Sequence, residues 1–238
     1  MKTLRILVVE ILICTNLNAQ NFRLEDNSDW WSINREQYSG LPAKSRRDHF
    51  DTRNFKIHGL SLDTLDFSAV ASIFGKASVV ERGDASTGRS QICYVSNDSS
   101  EQIHMVFEFG EGQISTFYLF RGGVDWNGRD RCVNSRDVAA HLSTGTGLRL
   151  GLSRMQVEAI LGRPDSVKGD GIAYWQEFNR KATKEEFERS RREYPETLND
   201  KLAHQEFDQV TVTIQIVAKF KNYQMNYLAV STESLNDN

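Results

Sequence analysis

One pattern of residues occurs twice in the chain, and it limits the possible folds more than any other feature of the sequence. Both copies place apolar residues at positions i, i+3 and i+4 and follow them with a glycine. These residues are Val70, Ile73, Phe74 and Gly75 and, 87 positions later, Val157, Ile160, Leu161 and Gly162. The spacing puts the apolar side chains on one face of a short helix, and glycine suits the left-handed conformation that ends a helix. The sequence therefore predicts two short helices of the same kind.

The starts of the two predicted helices carry signals as well. Asp66 is the expected N-cap of the first helix. Ser153 and Gln156 have the spacing of a capping box at the start of the second. After the second helix, Pro164 prevents the helical turns from continuing.

Each predicted helix is followed by the same series of turns and strands. A basic residue, a glycine and an aspartate indicate a turn at 82–84 and again at 168–170. Strands with aromatic residues follow at 92–95 and 172–175, and each copy ends in a hairpin, at 103–120 and 210–230. The spacing between equivalent residues grows from 87 to 111 because the second copy holds a charge-rich insert at 179–205. Thr183 and Glu186 have capping-box spacing there and predict a helix in the insert.

A helix with one apolar face and a sheet with one apolar face bury those faces against each other. We therefore predict an α+β fold of two tandem repeats, each a short helix or helix pair packed on a small antiparallel sheet. The predicted segments are a signal peptide at 1–19, an N-terminal segment at 20–58, a first repeat at 59–133 and a second repeat at 134–238. A further helix is expected from Ser135 through Val138 and Leu142 to Gly145.

The first nineteen residues have the layout of a secretory signal peptide. Lys2 and Arg5 precede an apolar run at 6–14 that only Glu10 interrupts, and Ala19 offers a small residue for cleavage. The run is too short to span a bilayer, and no later apolar stretch is long enough to do so. Without this segment the chain carries 27 basic and 31 acidic residues, a net charge of −4. Nucleic acids and anionic membrane surfaces are therefore not expected as partners.

Cleavage of the signal peptide would remove Cys14 and leave Cys93 and Cys132. An even pair of cysteines in an exported chain favours one disulfide. Its loop of about forty residues would contribute about 4 kcal/mol on the chain-entropy account of disulfide stabilisation. Two buried free thiols are the alternative. The five histidines show no i,i+3 or i,i+4 spacing, so no structural zinc site is expected.

The tandem unit resembles the beta-lactamase-inhibitor-protein-like fold and the related small outer-membrane lipoprotein A group of envelope proteins. The matching feature is a helix, the segment Leu161-Gly162-Arg163-Pro164, a turn, an aromatic strand and a hairpin. The matching stretches, at 150–175, 210–230, 62–95 and 103–120, cover about half of the mature chain. The first copy departs from the motif at 74–77, and the lipid-anchor cysteine of the lipoprotein members has no convincing counterpart. The resemblance implies an exported, non-enzymatic protein that acts by protein–protein contact through an open sheet face.

Five residues are candidates for a binding surface: Trp30, Trp31, His104, Glu108 and Tyr118. Tryptophan is favoured at the hot spots of interfaces. Trp30 and Trp31 could instead cap the core of the first repeat. The other three lie on the predicted strands at 103–120, where both faces carry apolar residues, so the alternation leaves open which face is exposed.

The chain contains no recognisable catalytic or cofactor motif. It has no G-x-S-x-G elbow and no P-loop lysine, and the glycines at 145–151 do not follow a strand in a βαβ unit. We therefore predict an exported, non-enzymatic protein-binding or envelope-assembly module with no cofactor or metal, whose partner is another protein of the envelope or exterior. The alternative is a small exported hydrolase with an unrecognised active site. The first function predicts an exposed apolar patch, and the second a concave pocket with converging titratable groups.

Overall fold

The computed structural model describes residues 51–62, 65–82, 88–98, 101–110, 115–122, 131–193 and 209–235. Within these ranges antiparallel strands predominate, and the α-helices are short. The helices are α1 (Phe67–Phe74), α2 (Arg154–Leu161) and α3 (Lys184–Glu193), and a 3-10 helix spans Thr52–Phe55.

Eleven strands are present in the described ranges. In the first part of the chain they are β1 (Lys56–Ile57), β2 (Leu60–Ser61), β3 (Val80–Arg82), β4 (Arg89–Ser96), β5 (Ile103–Gly110), β6 (Ser115–Arg121) and β7 (Val133–Ser135). In the second part they are β8 (Ser166–Lys168), β9 (Gly171–Lys181), β10 (Gln209–Lys221) and β11 (Gln224–Leu235). The two hairpins predicted at 103–120 and 210–230 are confirmed as β5–β6 and β10–β11.

Nine of these strands form one sheet in the order β3-β4-β5-β6-β11-β10-β9-β8, with β7 paired to β4. Neighbours along this order are antiparallel, whereas β7 runs parallel to β4. Strands β1 and β2 form a separate two-stranded sheet. We call α1 with β3–β6 the N-terminal half and α2 with β8–β11 the C-terminal half.

The predicted fold of two helices on two separate small sheets is wrong. Strand β6 pairs with β11 in a continuous register from Phe120 opposite Tyr227 to Ser115 opposite Thr232. This pairing satisfies backbone groups that would otherwise line the open edges of two smaller sheets. The halves therefore share one sheet, and the protein is mainly β rather than a tandem α+β pair.

Both helices also contribute to the same hydrophobic core. Val70 and Phe74 of α1 and Val157 and Leu161 of α2 are buried in one cluster with strand residues from both halves. Their side chains are those placed on the apolar faces by the i, i+3, i+4 spacing. One face of the sheet, which we call the helix side, is covered in this way.

The two halves of the sheet pair their strands in matching registers. Tyr94 of β4 lies opposite Met105 of β5, and Tyr174 of β9 lies opposite Ile216 of β10, which is 111 positions after Met105. The next strands follow the same offset, since Val106 lies opposite Tyr118 and Val217 opposite Ala229. A residue of β5 can therefore be compared directly with the residue of β10 that lies 111 positions later.

One tyrosine in each half ties the end of a helix to the sheet. The Tyr94 hydroxyl donates to the carbonyl oxygen of Gly75 at 2.7 Å, and the Tyr174 hydroxyl donates to that of Gly162 at 3.1 Å. Each glycine is the C-cap of its helix and has a positive φ, 98° at Gly75 and 79° at Gly162. Burial raises the pKa of Tyr94 to about 12, so the hydroxyl remains a donor at physiological pH.

The region after the disulfide loop differs from its prediction. The helix expected from Ser135 to Gly145 is absent, and successive turns bury Val138 and Leu142 instead. Their amides donate three residues back, to the carbonyls of Ser135 and Ala139. Gly145 ends no helix; its amide reaches the carbonyls of Arg53 and Lys56, and a Cβ there would lie 2.9 Å from that of Arg53.

Two predicted boundaries also fall inside strands. The border between residues 133 and 134 lies within β7, and the insert predicted from residue 179 begins only after β9 ends at Lys181. Helix α3 occupies the described part of the insert. The rest of the insert and the predicted signal peptide lie outside the described residues.

A partly buried ion pair attaches α3 to the sheet. Arg180 of β9 donates through two nitrogens to the Glu186 carboxylate, at 2.6 and 2.7 Å. Glu186 also accepts from the backbone of Thr183 at 2.7 Å, which completes the predicted cap. The Arg180 hydrogen bonds hold the pKa of Glu186 at about 2, well below its ordinary value.

Helix α3 should lose stability in acid. Because the pKa of Glu186 is about 2 in the folded chain and near 4.5 when it is free, the stabilisation is complete above pH 4.5 and disappears as the pH falls towards 2. Because solvent screens this partly exposed pair, we expect a loss of about 2 kcal/mol, less than the full pKa difference would give, seen as lower hydrogen-exchange protection of the α3 amides. Glu186→Gln should abolish this pH dependence. Glu188→Gln, which removes an exposed carboxylate from the same helix, should leave it intact.

Candidate functional site

The sheet face opposite the helix side carries a second apolar cluster, which we call the back-face cluster. It contains Cys93, Val106, Tyr118, Phe120, Ala173, Trp175, Val217, Tyr227 and Ala229, with Cys132 packed against it. Every member except Cys132 comes from a strand, and strands of both halves contribute. None of the nine is more than 6% exposed. The sheet is therefore buried on both faces in this region.

A carboxylate lies beside this cluster and is held by three donors. Glu108 of β5 is 3% exposed. Its carboxylate accepts from Arg89 at 3.1 Å, from the Tyr118 hydroxyl at 3.2 Å and from the side-chain amide of Gln91. The register places Gln91 directly opposite Glu108. Burying a carboxylate is costly unless charge and hydrogen bonds compensate, and this arrangement supplies both.

Tyr118 acts as a hydrogen-bond donor in this network. Burial, reinforced by the nearby Glu108 charge, raises the pKa of the Tyr118 hydroxyl well above its ordinary value. The hydroxyl therefore remains protonated. A phenol whose pKa lies well above its ordinary value serves as a hydrogen-bond donor, whereas a general acid or base needs a pKa near the working pH.

The structure brings the candidate residues His104, Glu108 and Tyr118 onto one face of the sheet but buries all three. They are 5%, 3% and 4% exposed, and the His104 ring stacks on that of Phe120 with centroids 5.2 Å apart. They do not form an accessible binding surface. The other two candidates, Trp30 and Trp31, lie outside the described residues.

Cys93 and Cys132 are joined in the structure by a disulfide, with their Cα atoms 4.5 Å apart. Cys93 belongs to β4, and Cys132 immediately precedes β7. The bond therefore lies at the point where β7 adds in parallel to β4, beginning at Tyr94 opposite Val133. The two cysteines are 39 positions apart, so the bond closes a segment of the chain that contains β5 and β6.

A second region, at one end of the sheet, has the opposite character because large apolar side chains are exposed there. Tyr223 is 92% exposed and Met155 is 80% exposed. Both line a groove of about 650 Å³, to which Phe220 and Asp170 also contribute. The start of α2, the turn after β8 and the β10–β11 turn form its walls. The volume is within the range of known ligand sites.

The position of Tyr223 is conformationally unfavourable. Asn222 and Tyr223 form the two-residue turn between β10 and β11, with φ angles of 52° and 64°. A turn with two positive φ angles favours Asn followed by Gly, because glycine has no Cβ to clash with the backbone. An aromatic residue in the glycine position costs stability and presents its ring to solvent. Strained backbone positions of this kind cluster at functional sites.

The polar side chains that line the groove include two charged groups and the hydroxyl of Ser153. Its charged lining groups are Arg154, which donates to Glu158 at 2.7 Å, and Asp170. Ser153 also lines the groove. Its hydroxyl accepts a hydrogen bond from the backbone N–H of Gln156 in the capping box of α2. Within the described residues, no three His, Cys, Asp or Glu side chains are grouped closely enough to hold a metal ion.

Sequence reasoning missed this groove, although two signals were present. A tyrosine follows asparagine in the tight hairpin turn, where glycine is expected, and methionine occupies the second position of α2, outside its apolar stripe. The meeting of α2 with the β10–β11 turn depends on the isolated pairing of Ser153 with Gln224, which no local pattern predicts.

Comparison with known proteins provides no relative from which a function could be transferred. No family model matches the chain, and neither curated proteins nor solved structures show a significant match to it. In the part of the chain that the structure describes, no helix combines the length and the apolar character needed to cross a membrane.

Removing the buried carboxylate should destabilise the fold. Glu108→Ala takes away the acceptor used by Arg89, Gln91 and Tyr118, and we expect a loss of about 3 kcal/mol in the free energy of unfolding. Tyr118→Phe removes one donor and should cost about 1 kcal/mol. Urea denaturation measures both. Glu188→Ala, which removes an exposed carboxylate, should change stability by less than either, and an equally small effect of Glu108→Ala would contradict a structural role.

Replacing the strained tyrosine should stabilise the protein. Tyr223→Gly relieves the positive φ, and we expect a gain of about 1 kcal/mol in the free energy of unfolding. Tyr223→Ala removes the same ring but keeps a Cβ, so it should bring little gain. Urea denaturation gives the free energy of unfolding of both variants. The difference between them is the cost of a Cβ at this positive φ. Equal stability of both would show that Tyr223 is unstrained.

Proposed function

We propose that this chain is an exported, non-enzymatic module that binds another protein through the groove between α2 and the β10–β11 turn. The observation that supports the proposal most strongly is the pair of exposed side chains, Tyr223 and Met155, that line that groove. Exposed apolar groups around a concave site are typical of interaction surfaces. Tyrosine is also enriched among residues that dominate binding energies, and methionine adapts to the shape of a partner.

We place the binding site in the groove because the side chains on both faces of the sheet are buried. The open-sheet mode of binding expected from the sequence requires accessible strand side chains. The helix side is covered by α1 and α2, and the back-face cluster is equally buried. The end of the sheet, where the β10–β11 turn projects, is the described region in which an aromatic and a thioether side chain are both largely accessible.

Export is part of the proposal and has two supports. The layout of residues 1–19 is that of a signal peptide, and the Cys93–Cys132 disulfide is typical of an oxidising compartment. We place the partner among proteins of the cell envelope or exterior for this reason.

The alternative of a small hydrolase has less support. Hydrolysis by a nucleophile requires a hydroxyl or thiol with a base in reach and a group that orients the base. In the groove the Ser153 hydroxyl serves as a helix cap, and Arg154 is paired with Glu158. No specific observation in the described residues favours the hydrolase over the binding module.

Site-specific photo-crosslinking tests the proposed function. The mature chain would carry p-benzoylphenylalanine at position 223 and, as a matched control, at position 188 on the exposed surface of α3. Both proteins would be irradiated in the exported fraction of the source organism. We expect one adduct of defined mass from position 223 and none from position 188.

Competition establishes that the adduct comes from the groove. Excess unlabelled wild-type protein should abolish it, whereas the double variant Met155→Ser/Tyr223→Gly should not compete. Adducts of equal yield at both positions, or equal competition by the double variant, would contradict binding through the groove.

A further inference from the structure

The three methionines of the described residues differ sharply in their accessibility. Met105 of β5 and Met225 of β11 are 0% exposed, and both belong to the core on the helix side. Met155 of α2 is 80% exposed. The remaining methionine of the chain, Met1, lies in the predicted signal peptide. A small reagent in solution therefore reaches the thioether of Met155, whereas the fold shields the thioethers of the other two.

The place of Met155 in α2 accounts for its exposure. It is the second residue of the helix, and it lies outside the apolar stripe through which Val157 and Leu161 enter the core. The start of α2 lines the groove, so the Met155 side chain is part of the groove surface. Its chemistry can therefore change without disturbing a packed region of the protein.

The Met155 thioether is the accessible sulfur of the described residues with which a peroxide can react. Cys93 and Cys132 are joined in the disulfide, so neither offers a thiolate. The sulfur of Met155 would donate an electron pair to one oxygen of hydrogen peroxide, and the O–O bond would break. That oxygen stays on the sulfur as a sulfoxide, and the second oxygen leaves with both protons as water. The sulfur loses two electrons, and the peroxide gains them.

We propose that Met155 is a site of reversible oxidation by peroxides and that its sulfoxide weakens the binding of the partner protein in the groove. This inference rests on the proposed function and adds its regulation. Tyr223 and Met155 are the large apolar side chains that are most exposed in the groove. Oxidation converts one of them into a polar, chiral group. A partner would have to remove water from that group in order to cover it, which costs binding free energy.

The fold should tolerate the oxidation of Met155. The sulfoxide is a dipole with its negative end on oxygen, and it would lie in the first turn of α2, at the positive end of the helix. The capping box of Ser153 and Gln156 does not involve the sulfur. Oxidation therefore changes the surface of the groove and leaves α2 in place. A sulfoxide at Met105 or Met225 would instead bury a polar group in the core.

Peptide mapping tests the assignment of the site. The folded mature chain, with its disulfide intact, would be treated with hydrogen peroxide, and the gain of one oxygen at each methionine would be followed by mass spectrometry. We expect Met155 to react at least tenfold faster than Met105 and Met225, and its oxidation to leave the midpoint of urea denaturation unchanged. In the urea-unfolded chain all three should react at similar rates, because burial no longer protects two of them. Equal rates in the folded chain would overturn the inference.

Competition for the photo-crosslinked adduct at position 223 tests the consequence for binding. The wild-type chain oxidised at Met155 should need at least a tenfold higher concentration than the untreated chain to suppress the adduct. Methionine sulfoxide reductase, with a dithiol that becomes a disulfide while the oxygen leaves as water, should restore the competition. Met155→Leu has no thioether at this position, so peroxide should leave its own competition curve where it was before treatment.

The outcomes separate this inference from the proposed function. If position 223 gives no competed adduct with the untreated protein, both are wrong. If the adduct forms but the oxidised and untreated wild-type chains suppress it equally, the inference is wrong and the proposed function stands. The same holds if peroxide weakens competition by Met155→Leu as much as it weakens competition by the wild type.

Discussion

The pairing of β6 with β11 is the interaction on which the rest of this structure depends. It joins two four-stranded halves into one sheet and places Phe117 opposite Val230 and Leu119 opposite Leu228 at the centre. Both helices then cover a single face, and their apolar stripes meet in one core. Without this pairing each half would have an open edge and a much smaller core, which is a marginal arrangement for domains of that size.

Burial of both faces of the central sheet determines where function can reside. The back face carries Glu108 and its donors, whose cross-strand hydrogen bonds favour a single register, because a shift of one residue would move the carboxylate to the helix side. The side chains of the back face are buried in these contacts and are therefore not accessible to a partner. Accessible apolar groups are instead concentrated at the turn end of the C-terminal half, where Tyr223 occupies a strained backbone position that its own fold does not favour.

Much of the local structure could be predicted from the sequence. The two helices, with their caps at Asp66 and Ser153, and both hairpins depend on interactions within a few residues, so spacing and turn residues identify them. The single sheet depends on strands separated by more than a hundred positions, for which neither copy contains a signal. The helix expected after Ser135 was favoured by its caps and apolar spacing, but the contacts of Gly145 with Arg53 and Lys56 require turns there. Alternation could not show that the strand candidates His104, Glu108 and Tyr118 are buried, because it does not reveal that both faces of the sheet are covered. The groove was not predicted because it arises from three separate segments.

The order of the strands has a consequence for how the chain matures. β11 follows every other described strand in sequence yet lies between β6 and β10 in space. During synthesis the N-terminal half can form its local hairpin early, but its β6 edge stays unpaired until residues 227–232, which pair with it, have been made. Long-range strand pairing of this kind is slow and leaves intermediates prone to aggregation. A nascent chain of this protein is therefore prone to aggregate until β11 has been made and has paired with β6. A chaperone would have its greatest effect in that interval.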